Sequence, residues 1–178
     1  MALIDLLQQN PAIFIGVVTT VSLIVGSFLN VVIYRLPIMM EREWHTQCRE
    51  LLDINDKDQN TNERPLNLAT PRSRCPHCDH AISALENIPI LSYLVLRGRC
   101  RHCKTKISIR YPVIEASTAL LSALVAWKLG FEWQTLAALV LTWALVALTM
   151  IDFDYQLLPD SITLPLVWIG LFLSLFGL

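Results

Sequence analysis

This sequence has few charged residues. Only 16% of its 178 residues are charged, whereas 54% are hydrophobic. Soluble globular domains carry about a quarter charged residues, so this composition argues against an ordinary soluble domain. Basic residues are almost confined to one stretch, because thirteen of the fourteen Lys and Arg residues lie between Arg35 and Arg110.

Three long runs contain no charged residue at all, namely 6–34, 133–151 and 161–178. Each approaches or exceeds the roughly 20 residues that a helix needs to cross a bilayer. A weaker candidate covers about 113–127 and has Glu115 near its start. Buried core helices are the alternative, but a chain of this length cannot surround three such segments with polar structure. We predict an all-α polytopic membrane protein with about four transmembrane helices.

The distribution of charge predicts the orientation of these helices. The segment 35–110 contains nine acids and has a net charge of +4, whereas the rest of the chain has −5. Since basic loops are retained in the cytosol, we expect residues 35–112 to be cytosolic and the N-terminus to be periplasmic. The first apolar run follows Asp5 rather than basic residues, so it should remain as a transmembrane helix and not be cleaved as a signal peptide.

These observations divide the chain into three parts: a first helix over 1–34, a cytosolic loop over 35–112, and further helices over 113–178. Pro11 suits the start of the first helix, and Pro37 should end it. Gly26 and Asn30 within it suit close packing and a hydrogen bond with another helix. After it, 39–52 resembles an amphipathic helix at the membrane surface, and 55–62 a polar linker.

Four cysteines in the cytosolic loop form a duplicated pattern. The pairs are Cys75-Pro-His-Cys78 and Cys100-Arg-His-Cys103, and each is followed four residues later by isoleucine. Two such pairs typically surround one tetrahedral zinc ion, and four protein ligands make the zinc structural. The alternatives are a redox dithiol and an iron–sulfur cluster. Structural disulfides are disfavoured, because the cytosol is reducing.

The histidines are not the expected ligands of this metal, although replacement of one cysteine by His77 or His102 stays an alternative. His77 and His102 lie within the two spacers, where they are interpreted as exposed or neighbouring groups. Cys48, His45 and His80 have no partner at metal-ligand spacing and are interpreted as surface residues.

Three carboxylates stand where an uncharged run meets the cytosolic face, in the loop 152–160. Asp152 lies deepest of them, and acids at a membrane boundary are candidates for function. Local sequence leaves a purely interfacial role open. A nucleic-acid partner is not expected, because topology explains the loop's positive charge and nine acids dilute it.

Taken in order, the motifs resemble those of bacterial type IV prepilin leader peptidases. They are Gly26-Ser-Phe-Leu-Asn-Val31, the two cysteine pairs with Glu86-Asn-Ile-Pro89 between them, Tyr111-Pro-Val-Ile-Glu115, and Ile151-Asp with Leu158-Pro-Asp160. The resemblance covers essentially the whole chain. It implies a multi-pass inner-membrane aspartic peptidase that removes the basic leader from type IV prepilins and type II secretion pseudopilins.

The resemblance also implies particular residues and cofactors. Asp152 matches the first catalytic aspartate, and Cys75, Cys78, Cys100 and Cys103 match the zinc site. Many members also methylate the new N-terminus with S-adenosylmethionine, and contact with the pilus or type II secretion machinery is expected. The second catalytic aspartate of the family stands in a Gly-x-Gly-Asp motif, which is absent up to Leu178. We therefore expect a truncated member that does not cleave unaided.

Two other functions remain open from the sequence. The chain could be a methyltransferase alone, although no glycine-rich cofactor loop follows a predicted strand. It could also be a non-catalytic membrane scaffold that carries a zinc-containing loop.

Overall fold

The computed structural model describes residues 2–52, 66–70, 73–75, 77–83, 86 and 88–175. Its helices are α1 (Ala2–Gln9), α2 (Pro11–Leu51), α3 (Leu91–Val95), α4 (Arg110–Leu129), α5 (Trp133–Tyr155) and α6 (Asp160–Leu175). No strand occurs within the described ranges, apart from two isolated antiparallel bridges. The predicted all-α class is therefore confirmed, while the linker proposed at 55–62 lies outside the described residues.

Three helices are long and apolar enough to cross a membrane, namely α2, α4 and α5. The weakest candidate of the sequence, 113–127, is part of α4, which has 20 residues. The last helix, α6, is apolar but has only 16 described residues. Three of the four predicted spans are thus helices of spanning length, and the fourth is a shorter apolar helix.

The prediction that Pro37 ends the first helix was wrong. Helix α2 begins with Pro11, as expected, but continues through Pro37 for 41 residues, so 39–52 is its extension. A proline inside a helix removes one backbone hydrogen bond and crowds the preceding turn, a penalty that tertiary packing can offset. Pro37 is buried here, and the neighbouring Arg35 guanidinium donates to the Asn67 carbonyl at 2.8 Å. At about 60 Å, α2 is roughly twice as long as a bilayer core is thick.

Helices α2 and α4 form the main packing contact and run antiparallel. The Asn30 side-chain amide donates to the Tyr111 carbonyl at 3.2 Å, so the predicted interhelical hydrogen bond is present. Four residues earlier, Gly26 faces Glu115, and a Cβ built on this glycine would lie 2.9 Å from the Glu115 Cα. The backbones can approach this closely only because position 26 has no side chain.

A buried apolar cluster joins α2, α4 and α5 near the end of the bundle where Asp152 lies. It consists of Leu29, Ile33, Ile114, Ala147 and Ile151. Ile151 is completely buried, so the last turns of α5 are packed against the other two helices. This packing fixes the position of the residue that follows, Asp152.

The connection between α5 and α6 is shorter than the predicted loop 152–160. Helix α5 continues to Tyr155, and the Gln156 N–H donates to the Asp152 carbonyl at 2.8 Å. Gln156 then adopts a left-handed conformation, with φ of 51°, which ends the helix. Asp152 and Asp154 therefore belong to the last turn of α5, and Asp160 begins α6.

The glycine contact gives a direct test of the α2–α4 packing. We expect Gly26→Ala to lower the free energy of unfolding by about 1–3 kcal/mol, because the added methyl group meets a backbone atom and forces the helices apart. Gly16→Ala is the matched control, since nothing lies within 4 Å of a Cβ there. Unfolding of both variants in mixed micelles, followed by circular dichroism, measures the difference. Equal stability of the two variants would contradict the packing described.

Candidate functional site

The two cysteine pairs fold into two copies of the same backbone turn. In the first, Cys75 N–H donates to the His80 carbonyl and Asp79 N–H to the Cys75 carbonyl, both at 2.9 Å. In the second, Cys100 N–H donates to the Thr105 carbonyl at 2.8 Å, and Lys104 N–H donates to the Cys100 carbonyl at 3.0 Å. One antiparallel bridge closes each copy. The internal repeat noted in the sequence is therefore a repeated structural unit, and we call the two copies together with α3 the cysteine lobe, residues 73–107.

The cysteine lobe brings its four cysteines to one point. Their sulfur atoms all lie within 4.8 Å of one another, and the sulfurs of Cys75 and Cys103 are 3.7 Å apart. Cys75 is buried, and the other three are partly buried. The four side chains predicted as ligands, Cys75, Cys78, Cys100 and Cys103, therefore form a group that could hold a metal ion.

Hydrogen bonds around the sulfurs favour the thiolate form at two positions. The backbone N–H groups of His77 and Cys78 lower the pKa of Cys75. The Thr105 hydroxyl and backbone N–H lower the pKa of Cys103 to about 6. At Cys78 the backbone hydrogen bond from His80 is outweighed by burial and the three neighbouring sulfurs, so its pKa rises to about 12. Four thiolates this close repel each other, and a bound cation would remove that repulsion.

The histidines stay outside the sulfur cluster. His77, His80 and His102 are exposed, and the rings of His80 and His102 stack with their centroids 5.3 Å apart. Cys48 is exposed on the extension of α2, as the sequence predicted. His45, also on α2, lies 3.9 Å from Glu41 one helical turn away.

The cysteine lobe is attached to the helices by a carboxylate that the sequence analysis did not select. The Ile90 N–H donates to Oε2 of Glu115 at 2.7 Å. Ile90 has a φ of 57°, a conformation that β-branched residues rarely adopt, and the residue immediately precedes α3. Glu115 itself is buried in α4. An acid inside an otherwise apolar run was the available signal, but only the fold reveals its partner.

Asp152 is placed at the edge of the helix bundle. Asp152 is exposed, whereas Ile151, directly before it, is buried. Neither an ion pair nor a side-chain hydrogen bond of Asp152 is found in the part of the chain that the structure describes. Asp152 does not belong to the cysteine cluster, so the structure places the two predicted functional groups at separate points.

Asp154 differs from Asp152 because it is neutralised by an arginine. The Arg110 guanidinium binds both carboxylate oxygens of Asp154, one of them at 2.9 Å. This bidentate pair ties the first residue of α4 to the last turn of α5. The sequence analysis identified Arg110 only as the end of the basic segment, since its partner lies 44 residues away. Asp154 is therefore occupied by a structural contact, which leaves Asp152 the better candidate for chemistry.

An open pocket of about 470 Å³ lies between the extension of α2 and the α5–α6 connection. Its lining includes Glu41, Trp44 and His45 from α2, Tyr155 at the end of α5, and Leu157 from the connection. The pocket thus reaches the last turn of α5 and the connection that follows it.

Comparison with known families gives matches over most of the chain. Residues 20–129 match the model of the bacterial peptidase A24 N-terminal domain, and residues 139–178 match that of the type IV leader peptidase family. The first match contains the four cysteines of the cluster, and the second contains Asp152.

Similar proteins named prepilin leader peptidase/N-methyltransferase occur in several bacteria. The chain is 53% identical to that of Stutzerimonas stutzeri and 57% to that of Aeromonas hydrophila, over 98% of this chain in each case. It is 49% identical to that of Pseudomonas aeruginosa over the whole length of the present chain. The chain spans 60% of the length of these relatives. No solved structure matches it.

If the four cysteines bind a metal ion, replacement of one of them should reduce the metal content of the protein. We expect the purified protein to contain a single bound metal ion, and Cys103→Ser to lose most of it, because three sulfurs hold the ion far less tightly. Cys48→Ser should keep the full content, since Cys48 is exposed and outside the cluster. Elemental analysis of the three proteins measures this. Equal metal content in Cys103→Ser and the unchanged protein would rule out the cluster as the binding site.

The Arg110–Asp154 pair predicts a measurable coupling between α4 and α5. In a double-mutant cycle with Arg110→Ala and Asp154→Ala, we expect a coupling of about 1 kcal/mol in unfolding free energy, because the pair is bidentate and partly buried. The pair Arg74–Asp79 is the control, since the Asp79 side chain is 76% exposed and should couple less. If both pairs couple equally, Arg110 does not fix the end of α5.

Proposed function

The chain belongs to the bacterial type IV leader peptidase family, and we propose that it serves to remove the leader peptide of type IV prepilins and type II secretion pseudopilins. In this proposal the new N-terminus is then methylated with S-adenosylmethionine as methyl donor. The similar proteins named as both peptidase and N-methyltransferase support the pairing of these two activities. The observation that carries the proposal is an exposed Asp152 on a helix end that two other helices hold in place.

Asp152 acts in this proposal as one of two carboxylates that share a proton. One ionised carboxylate takes a proton from water, and its protonated partner polarises the carbonyl of the peptide bond. Asp152 suits this role because no arginine or lysine of the described residues neutralises it, unlike Asp154. Asp160 begins another helix, α6, where its charge favours the helix start. The partner carboxylate in the family pattern belongs to the Gly-x-Gly-Asp motif.

The metal in this proposal is zinc, held by Cys75, Cys78, Cys100 and Cys103. Zinc bound by four thiolates at about 2.3 Å requires sulfur–sulfur distances of about 3.8 Å. The distance of 3.7 Å between Cys75 and Cys103 fits this requirement. Four protein ligands leave no position for water, so the zinc stabilises the cysteine lobe and takes no part in cleavage.

The proposed reaction takes place at the cytosolic face of the inner membrane. The cysteine lobe and the extension of α2 belong to the positively charged segment, which the positive-inside rule assigns to the cytosol. Arg110 and Asp154 stand at the same end of the helices as the lobe, so Asp152 faces the same compartment. The open pocket beside Tyr155 would receive the basic leader, with Glu41 as a complementary charge.

Replacement of Asp152 tests the proposed role. Asp152→Asn keeps the size of the side chain but cannot hold or release a proton, so we expect prepilin cleavage to fall by about 10²-fold or more. The assay uses a synthetic prepilin and protein made from the complete coding sequence, reconstituted in lipid. Transfer of a labelled methyl group to prepilin that has already been cleaved is measured in the same samples.

Asp160→Asn is the matched control for this experiment. It removes a carboxylate eight residues away, at the start of α6, and should leave the cleavage rate within a few-fold of the original. Both variants should keep their metal and helix content. Full cleavage by Asp152→Asn would overturn the catalytic assignment, whereas methyl transfer without any cleavage by the unchanged protein would favour a methyltransferase alone.

A further inference from the structure

The start of α3 lies beside α2 and α4, two of the helices that are long and apolar enough to cross a membrane. Ile90, directly before α3, is hydrogen bonded to Glu115, the sixth residue of α4. At 1.5 Å per residue, Glu115 lies about 7.5 Å beyond Arg110, the only charged residue before it in α4. On α2 the residue facing Glu115 is Gly26, about 13 Å from the nearest charge in that helix, Arg35. Both helices therefore place the start of α3 beside their uncharged segments.

The side chains of α3 and its flank are apolar and face outward. Leu91 is 58% exposed, Leu94 is 65% exposed and Val95 is 76% exposed, and Ile88 just before them is 39% exposed. Tyr93 turns the other way and packs against Gly98, where a Cβ would lie 2.8 Å from its ring. One face of this short helix thus packs against the backbone at Gly98, and the opposite face presents three aliphatic side chains.

Several polar groups of this segment already have hydrogen-bond partners within it. Ser92, Leu94 and Leu96 N–H groups donate to the carbonyls of Ile88, Ile90 and Ser92 at 2.9–3.1 Å. The Ser92 hydroxyl also donates to the Ile88 carbonyl, at 2.8 Å. Backbone groups that enter the apolar part of a bilayer need such partners, because lipid chains offer none.

Basic residues follow the apolar face directly. Arg97, Arg99 and Arg101 are all exposed and alternate along the turn that leads into the second cysteine pair. A short helix with outward aliphatic side chains and adjoining arginines has the character of a segment at the lipid surface, where arginines meet anionic headgroups.

We propose that α3 dips into the lipid leaflet on the side of the cysteine lobe, with Leu91, Leu94 and Val95 among the upper acyl chains. Arg97 and Arg99 then lie at the anionic headgroups. Glu115 supports this position from inside the bundle by accepting the Ile90 N–H. The lobe is thereby attached to the membrane at three points, through α2, α4 and α3. The inference depends on the membrane helices and not on peptidase activity.

Photo-crosslinking to lipid tests this placement. A benzophenone amino acid replaces Leu94 or Val95, one variant at a time, in protein reconstituted into vesicles of phosphatidylethanolamine and phosphatidylglycerol. The matched control carries the same amino acid at Lys106, which is also exposed in the cysteine lobe but follows the arginines. After irradiation, mass spectrometry measures the yield of phospholipid adducts. We expect several-fold more adduct at positions 94 and 95 than at 106.

Two results would overturn the proposal. Equal and low lipid adducts at positions 94, 95 and 106 would show that α3 lies in water. Adducts to another part of the protein at 94 and 95, without lipid, would show that a protein surface covers this face. Val95 is the most exposed of the three side chains, so its replacement keeps the test valid even where the Leu94 variant folds poorly. Retained metal content identifies the folded variants.

Discussion

The close approach of α2 and α4 at Gly26 is the constraint on which the rest of the structure depends. A Cβ at this position would meet backbone, 2.9 Å from the Glu115 Cα, so the helices can pack this tightly only around a glycine. The same approach buries Glu115, whose carboxylate needs a hydrogen-bond donor in apolar surroundings. The Ile90 N–H supplies it, at the cost of a left-handed conformation at a β-branched residue. Helix packing and the attachment of the cysteine lobe are therefore one arrangement.

The position of Asp152 follows from the same helix pair. Leu29 of α2 and Ile114 of α4 enclose Ile151 at the end of α5. Arg110, at the start of α4, then binds Asp154 and fixes the last turn of α5. Asp152 stands between these two contacts, one apolar and one ionic, with its own carboxylate exposed. Helix α4 thus contacts the cysteine lobe through Glu115 and the aspartate end of α5 through Arg110.

Much of this arrangement could be predicted from local sequence, because the signals involved are local. Charge-free runs indicated the helices, and the spacing within and between the cysteine pairs indicated that four sulfurs meet. Gly26 and Asn30 were expected at a helix contact, and both lie there. The resemblance to prepilin peptidases, drawn from ordered motifs, is confirmed by the family matches.

What sequence reasoning missed depends on contacts between distant residues. Pro37 was expected to end a helix, but burial and the adjacent Arg35 contact hold α2 continuous through it. The predicted loop 152–160 was too long, because the packing of Ile151 extends α5 to Tyr155. The partners of Arg110 and Glu115 lie 44 and 25 residues away in the sequence. Periodicity and motif spacing cannot predict such contacts.

Hydrogen exchange at the Ile90 amide tests the central contact most directly. The amide should exchange slowly in the unchanged protein, because it donates a hydrogen bond to Oε2 of Glu115, with 2.7 Å between the two atoms. Glu115→Ala should accelerate exchange in the segment 86–96 and leave the interiors of α2 and α5 protected, while Glu115→Gln, which keeps an acceptor oxygen, should fall between them. Identical exchange in all three proteins would contradict the account, since Glu115 would then not hold the cysteine lobe against the helices.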